Sequence, residues 1–367
     1  MKILYIINGL NGGGAAFPIP SLVSVMRGEG HDVRLVALMR QDGLAGPHLE
    51  AAGIDYRIIG HGPNDIIGSA RRLMAAIRSD RPDVIWTSLT RATIFGQIAG
   101  RLSGIPVVSW QHNAWLKPAN LAILRRTWRL SRHWVVDSEA VADYTAGTIG
   151  VDRSRIHLWP IFMVDPGKPP PVRPPRATFT IGSLGRLHRN KQYGLLIDIA
   201  AHIRDRHPAA HGALSFVVAG EGAERETLEA KVRALGLDNV RFIGFRRDTD
   251  AFFQEIDTYI QPSHHEGMCI ALHEAMAAAL PVIATPVGQM RHSITPACGF
   301  LHESGDVQGF ARSILALAAD RALAADMGAA ARQRVLDGFH EAKVRAAGAA
   351  LLARLEAERA AARATSA

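Results

Sequence analysis

The sequence predicts an α/β protein made of two doubly wound, parallel-sheet domains facing each other across a cleft, and three observations carry that expectation. The chain has 367 residues, too many for one ordinary core and enough for two of roughly 150 to 180 residues each. Apolar runs, glycine-rich turns and helical patterns alternate in both halves. A proline-dominated stretch lies between the halves.

The first run, Lys2 to Ile7 (KILYII), ends in Asn8 to Gly14 (NGLNGGG) and leads into the helix-like Phe17 to Arg27. That order is strand, glycine turn, helix. Further strand-like runs follow at Asp32 to Ala37, Asp83 to Thr87, Pro106 to Trp110 and Trp134 to Asp137, with helical patterns between them. Such repeated units build Rossmann-like sheets. Residues 166–177 (PGKPPPVRPPRA) lack the amide donors that a ladder or helix needs and read as a linker, which bounds a first domain at 1–165. The series resumes at Thr178 to Ser183, Leu214 to Ala219, Val240 to Ile243, Thr258 to Gln261 and Pro281 to Ala284, giving a second domain at 178–345. The Ala-, Arg- and Glu-rich remainder, 346–367, favours a helix that crosses back to the first domain.

Composition narrows the class. Hydrophobic residues make up 48% and charged residues 21% of the chain, a globular balance with no large disordered region. Cys269 and Cys298 are too few for a disulfide framework, so a reducing cytoplasm is expected. Asn8 and Gly9 break the first apolar run before it could serve as a signal peptide. No apolar run approaches the ~18 residues of a membrane span. A net charge of +8 favours anionic partners. No nucleic-acid module or basic-aromatic platform is visible, so nucleic acid is not expected among them.

The chemistry concentrates between Asp257 and Gly288. A strand ends at Pro262-Ser263, a loop carries His264, His265, Glu266 and Gly267, and a helix runs from about Cys269 to Ala278. Glu266 and Glu274 have seven residues between them, one on the loop and one in the helix. Free amides at the helix start favour an anion there, and the carboxylates can accept hydrogen bonds from hydroxyls of the same ligand. Taken singly, Glu274 reads as a solvated helix carboxylate and Glu266 as a charge on the helix dipole.

Together they resemble the E-x7-E signature of the retaining GT-B glycosyltransferases, family 4 in particular. The resemblance implies that Glu266 contacts the donor sugar and Glu274 the ribose, with Gly267, Met268, Cys269 and Ile270 lining the donor site. Gly185-Arg186-Leu187 with Lys191 matches the family's diphosphate clamp, and an Arg fork beside a Lys point charge suits a leaving diphosphate without a metal. Gly220 and Phe245 match the next two strand-end loops, the second lining the base pocket, and Gly305-Asp306 sits where the family often has that pair. In the first half, Gly13 and Gly14 look like the family's glycine loop, and His112 is in register with a His beside the reacting bond. Glu266, Arg186, Lys191 and His112 are therefore the expected catalytic group.

The resemblance implies a metal-independent retaining hexosyltransferase that needs no cofactor. Its donor would be a nucleotide-diphosphate sugar, with UDP expected as the nucleotide, and its acceptor a glycan or lipid-linked sugar in cell-surface polysaccharide synthesis. Four features depart from the family: Trp159-Pro160 replaces Asn-Gly, Gly288-Gln289 to His292 lacks the second Gly and the Glu of Gly-Gly-x-x-Glu, Met268 replaces the usual aromatic, and Cys269 replaces a Gly. A sugar-nucleotide epimerase and a binding module without catalysis are the alternatives.

Two patterns mislead. Asp248-Thr249-Asp250 has the form of a metal-binding D-x-D but precedes a helix and reads as its N-cap. His273-Glu274 with Ala277 falls short of a zinc helix. Leu121 to Trp134 carries Arg125, Arg126, Arg129 and Arg132 with Trp128 and Trp134. It reads either as an exposed helix or as a surface resting on the anionic inner face of the cell membrane, the two tryptophans supplying the apolar part.

Overall fold

A computed structural model describes residues 1–365. They form two compact units, residues 1–162 with 342–365, and residues 163–341.

The first unit is built on one parallel sheet of seven strands: β1 (Lys2–Gly9), β2 (Asp32–Met39), β3 (Tyr56–Ile58), β4 (Val84–Ser88), β5 (Val107–Gln111), β6 (His133–Val136) and β7 (Ile156–Leu158). Their order across the sheet is β3-β2-β1-β4-β5-β6-β7, so the winding reverses at β1 and β4. Central strands β4 and β5 are buried along their whole length, as continuous apolar runs covered by helices on both faces must be. The short edge strands β3 and β7 escape the sequence pattern because three residues carry no periodicity.

Trp86, Trp110, Trp134 and Trp159 are all fully buried in this unit. The ring centroids of Trp159 lie 5.1 Å from Trp110 and 5.9 Å from Trp86. Trp159 is one of the family departures, and the last helix, Glu341–Ala364, explains what it does. Gly348 faces it so closely that a Cβ there would stand 2.4 Å from the indole. Glycine is needed at this position for helix-to-ring approach.

The second unit repeats the plan with six parallel strands: β8 (Phe179–Leu184), β9 (Leu214–Ala219), β10 (Val240–Phe242), β11 (Thr258–Gln261), β12 (Val282–Ala284) and β13 (Gly299–Leu301). Their order is β10-β9-β8-β11-β12-β13, with the reversal at β8 and β11. Among the described residues both sheets are parallel throughout and Rossmann-like.

The proline-rich segment expected as a linker belongs to the second unit. Its arginines pin it there: Arg173 donates to the carbonyls of Ala278 and Ala279, each at 2.7 Å, and Arg176 to that of Gln254 at 2.8 Å. The unit boundary falls earlier, after Phe162. There the incoming Val164 donates to Phe339 O at 2.9 Å, and the outgoing Glu341 donates to Val164 O at 3.0 Å.

Candidate active site

In an open α/β sheet, ligands bind outside the carboxyl ends of the strands, where the winding reverses. In the second unit that place is the end of β8 and β11, and the loops there are tied together by main chain. Gly185 N–H donates to Ala219 O at 2.9 Å and Gly220 N–H to Gly244 O at 2.8 Å. Gly220, at φ 150°, has no room for a Cβ, which would lie 1.9 Å from Gly185 O. This lacing brings the loops of Gly185, Gly220 and Phe245 to one edge, with Phe245 42% exposed.

The loop after β11 carries Glu266, and a line of hydrogen bonds from the core fixes it. Tyr259 OH donates to Gln261 Oε1 at 2.8 Å, Gln261 Nε2 to Ser263 Oγ at 2.7 Å, and Ser263 Oγ to Glu266 Oε1 at 2.7 Å. Lys191 Nζ meets the same carboxylate oxygen at 2.7 Å. Burial of Lys191 opposes its charge, but the adjacent Glu266 outweighs it and holds the ammonium above its ordinary pKa. Asn190 Nδ2 donates to His265 O at 2.7 Å, stitching the Lys191 loop to the Glu266 loop. Arg186 is exposed and has neither a hydrogen bond nor an ion pair among the described residues. Its guanidinium is available to a ligand, while Lys191 is held in place.

Cys269 sits at the head of the helix Ile270–Ala277 with φ 54°, left-handed. Glycine adopts that conformation without strain, which accounts for the glycine that the resemblance expects there. The Cys269 thiol is buried, and burial pushes its pKa up, away from nucleophilic chemistry. Met268 is buried beside it. His273 is buried and its pKa falls to about 4, burial being the main cause. As a neutral ring it donates from Nδ1 to Cys269 O at 3.0 Å and accepts at Nε2 from Ser293 Oγ at 2.8 Å. The far end of the helix is held by Arg173 and by Arg332, which donates to Ala277 O at 2.5 Å, so cations meet the negative end of the dipole.

Glu274 lies on this clamped helix, half-buried, without a hydrogen-bond or ion-pair partner among the described residues. Its pKa is raised to about 7, first by burial and then by the charge of Asp250, with Lys168 opposing. Gly288 retains the first glycine of the family's pair for a visible reason: at φ 56° a Cβ would lie 2.5 Å from the carbonyls of Glu266 and Gly267. The missing second glycine is Gln289, whose N–H donates to Gly267 O at 2.8 Å.

The D-x-D pattern is a cap. Asp248 accepts from Ala251 N–H at 3.0 Å, and Asp250 pairs with Lys168 at 2.5 Å. Among the described residues no group of three His, Cys, Asp or Glu side chains is set to hold a metal ion.

The first-unit residues do not join this cluster in one unit. Gly13 closes a turn after β1, its carbonyl accepting from Ala16 at 3.1 Å and Phe17 at 3.2 Å, with Gly14 exposed beside it. His112, 7% exposed at the end of β5, has its Nδ1 2.9 Å from Asp137 Oδ2 and its Nε2 2.6 Å from Ser88 Oγ. Both ring nitrogens are thus engaged inside the unit. Sequence reading missed Ser88 and Asp137, although an aspartate ending the apolar run WVVD signals a buried partner.

The basic stretch differs from expectation in one respect. Trp128 is 8% exposed and Trp134 fully buried, so neither can enter a membrane; both belong to the core under the helix Pro118–Thr127. The four arginines do lie on the surface. No described helix is long and apolar enough to cross a membrane.

Comparison with known proteins gives a consistent result. The family described as Glycosyltransferase Family 4 matches residues 12–163, and Glycosyl transferases group 1 matches residues 169–334. EpsF of Bacillus subtilis is 25% identical over 77% of this chain and 78% of its own. The lipopolysaccharide core biosynthesis glycosyltransferase LpsE of Rhizobium meliloti is 30% identical over 44% of each chain. The crystal structure of Anabaena HepE in complex with UDP and glucose has a TM-score of 0.84 at 19% identity, covering 96% of this chain and 99% of that one, a likeness of fold. The two family matches follow one another in the order of the two units, and the chain is a glycosyltransferase of the GT-B fold, belonging to glycosyltransferase family 4.

Proposed function

We propose that the protein transfers a hexose with retention of configuration from a UDP-sugar to a glycan or lipid-linked acceptor, in polysaccharide synthesis at the inner face of the cell membrane. The observation that carries this reading is the pair of carboxylates on the second unit. Glu266 is fixed by Lys191 and Ser263, and Glu274 has no hydrogen-bond or ion-pair partner among the described residues. A carboxylate held in place suits a reacting sugar, and an unpartnered one suits a diol such as the ribose hydroxyls. The name of HepE's complex, with UDP and glucose, supports UDP as the nucleotide, and the name of LpsE supports a lipid-linked acceptor.

Within this reading Arg186 and Lys191 meet the diphosphate as it departs. Lys191 is preorganised by Glu266, and Arg186 closes on the ligand from solvent, so their charges act where negative charge grows. Phe245 offers its exposed ring to the base and Gly220 its main chain, while Gly267 to Ile270 line the sugar. Capping and ion pairing occupy Asp248 and Asp250, which supports transfer without a metal. The family resemblance suggests His112 for a role at the reacting bond, and Asp137 and Ser88 fix its ring. The exposed arginines of the 121–134 stretch would rest on anionic lipid.

A panel of UDP-, GDP- and ADP-sugars tested by thermal shift, followed by donor hydrolysis without acceptor, checks the proposal. A UDP-sugar that alone raises the melting temperature and is slowly hydrolysed is the expected result. Preference for another base would replace the nucleotide assignment, and binding without hydrolysis or transfer would remove the catalytic one.

A further inference from the structure

Away from the strand-end loops, the first unit holds a cavity of about 1050 Å³. One wall is the amino-terminal edge of its sheet, where β4, β5 and β6 begin, and the other is the last helix. This is the opposite edge from the one where open α/β sheets bind their substrates.

The walls are strongly cationic: six arginines against the two carboxylates of Asp83 and Glu358 leave an excess of four positive charges. Arg132 and Arg354 meet Glu358 at 2.6 and 3.2 Å, and Arg359 and Arg363 share Asp83. Arg129 and Arg155 are different. Their guanidinium carbons lie 4.5 and 5.6 Å from the ring centroid of the buried Trp128, and neither comes within ion-pair distance of a carboxylate among the described residues. An arginine laid against an indole is positioned in advance and weakly hydrated, ready for an oxyanion. The volume lies just above the range of about 300 to 1000 Å³ typical of small-molecule sites, and the planar fork fits phosphate.

We propose that this cavity is a second anion site, taking a ligand that bears two or more phosphate charges, either a soluble diphosphate or the headgroups of anionic lipid. The inference does not depend on the identity of the sugar donor.

The test begins with full-length protein carrying Arg186→Ala and Lys191→Ala, so that pyrophosphate has no clamp in the donor site. Isothermal titration with sodium pyrophosphate should still show binding. Adding Arg129→Gln and Arg155→Gln, which break no ion pair, should weaken it at least tenfold while leaving the melting temperature in phosphate-free buffer unchanged. A second arm measures sedimentation with phosphatidylglycerol vesicles. Vesicle binding that pyrophosphate displaces and the Arg129/Arg155 substitutions abolish assigns the site to lipid headgroups. Vesicle binding indifferent to both, with the pyrophosphate titration sensitive, assigns it to a soluble ligand. Absence of pyrophosphate binding together with vesicle binding unaffected by the substitutions overturns the proposal, as does pyrophosphate binding that the substitutions leave intact.

Discussion

Lys191 Nζ and Ser263 Oγ converge on one oxygen of Glu266, each at 2.7 Å, while the exposed Arg186 in the same loop region has no hydrogen bond or ion pair among the described residues. The two cations of the proposed clamp should therefore differ in what their removal costs. Arg186→Ala should leave stability within about 0.5 kcal/mol, as for a surface change, yet lower kcat/KM at least tenfold, about 1.4 kcal/mol of transition-state stabilisation. Lys191→Ala should lower both, because Glu266 is left with one donor. Chemical denaturation beside steady-state kinetics separates the cases, and full activity in either variant takes that residue out of the clamp.

With Glu274 in the proposed donor site, nucleotide binding should depend on pH. Its carboxyl has a pKa of about 7 without ligand, above the ordinary carboxylate value, because burial and Asp250 disfavour the charge. If the carboxylate accepts from ribose hydroxyls, nucleotide affinity should rise as pH climbs through 7, with proton release on binding. Glu274→Gln should flatten the profile, and Glu274→Ala should weaken binding by about 1 to 3 kcal/mol. Stability runs the other way: a carboxyl whose pKa is raised on folding stabilises below its unfolded pKa, and that contribution is lost as pH rises through about 7. The Gln variant should therefore melt above the wild type at pH 8 and level with it near pH 5. Calorimetry over pH 5 to 8 reads both effects; a flat affinity profile in the wild type removes Glu274 from the ribose.

Chelation should leave the rate unchanged, since Asp248 is spent on a helix cap and Asp250 on Lys168. Assays with excess EDTA, then with manganese restored, check this. Activity that disappears and returns with the metal would overturn the metal-independent mechanism.

The basic stretch should bind anionic vesicles by charge alone. Replacing Arg125, Arg126, Arg129 and Arg132 with Gln should remove most of the binding, at about 1 kcal/mol per cation near the surface. With Trp128 and Trp134 buried, no apolar contribution from them should survive in salt. Cosedimentation at graded ionic strength is the measurement, and equal binding by the two proteins leaves a soluble acceptor.

Gly348→Ala tests the packing of the last helix. In an open helix this change stabilises by about 0.5 to 1 kcal/mol. Here the new methyl would meet Trp159 at 2.4 Å, so the protein should lose roughly 1 to 3 kcal/mol instead. An unchanged or higher melting temperature would show that Trp159 yields.

Much of this architecture is written in local pattern. Central strands such as β4 and β5 are apolar runs bounded by turn residues, and Glu266 and Glu274 stand out through the family signature that their strand-loop-helix unit resembles. What sequence reading missed depends on contacts between distant segments. Asp137 and Ser88 are 25 and 24 residues from His112 along the chain, and their shared hydrogen bonds exist only once three strands lie side by side. Trp128 and Trp134 looked amphipathic because polar neighbours alternate with them, whereas burial was decided by what packs above. Proline content suggested a free linker, but Arg173 and Arg176 find carbonyls that no composition reveals.

The contact of Gly348 with Trp159 also bears on how the protein is made. Residues 342–365 belong to the unit begun by residues 1–162, with all of 163–341 inserted between them. On the ribosome the first sheet emerges early but must wait for the last helix to pack on Trp159, while the second unit can close as soon as it is clear of the exit tunnel. The nascent chain therefore carries an unfinished apolar face for roughly half of its synthesis, and that interval is when a chaperone has most to protect.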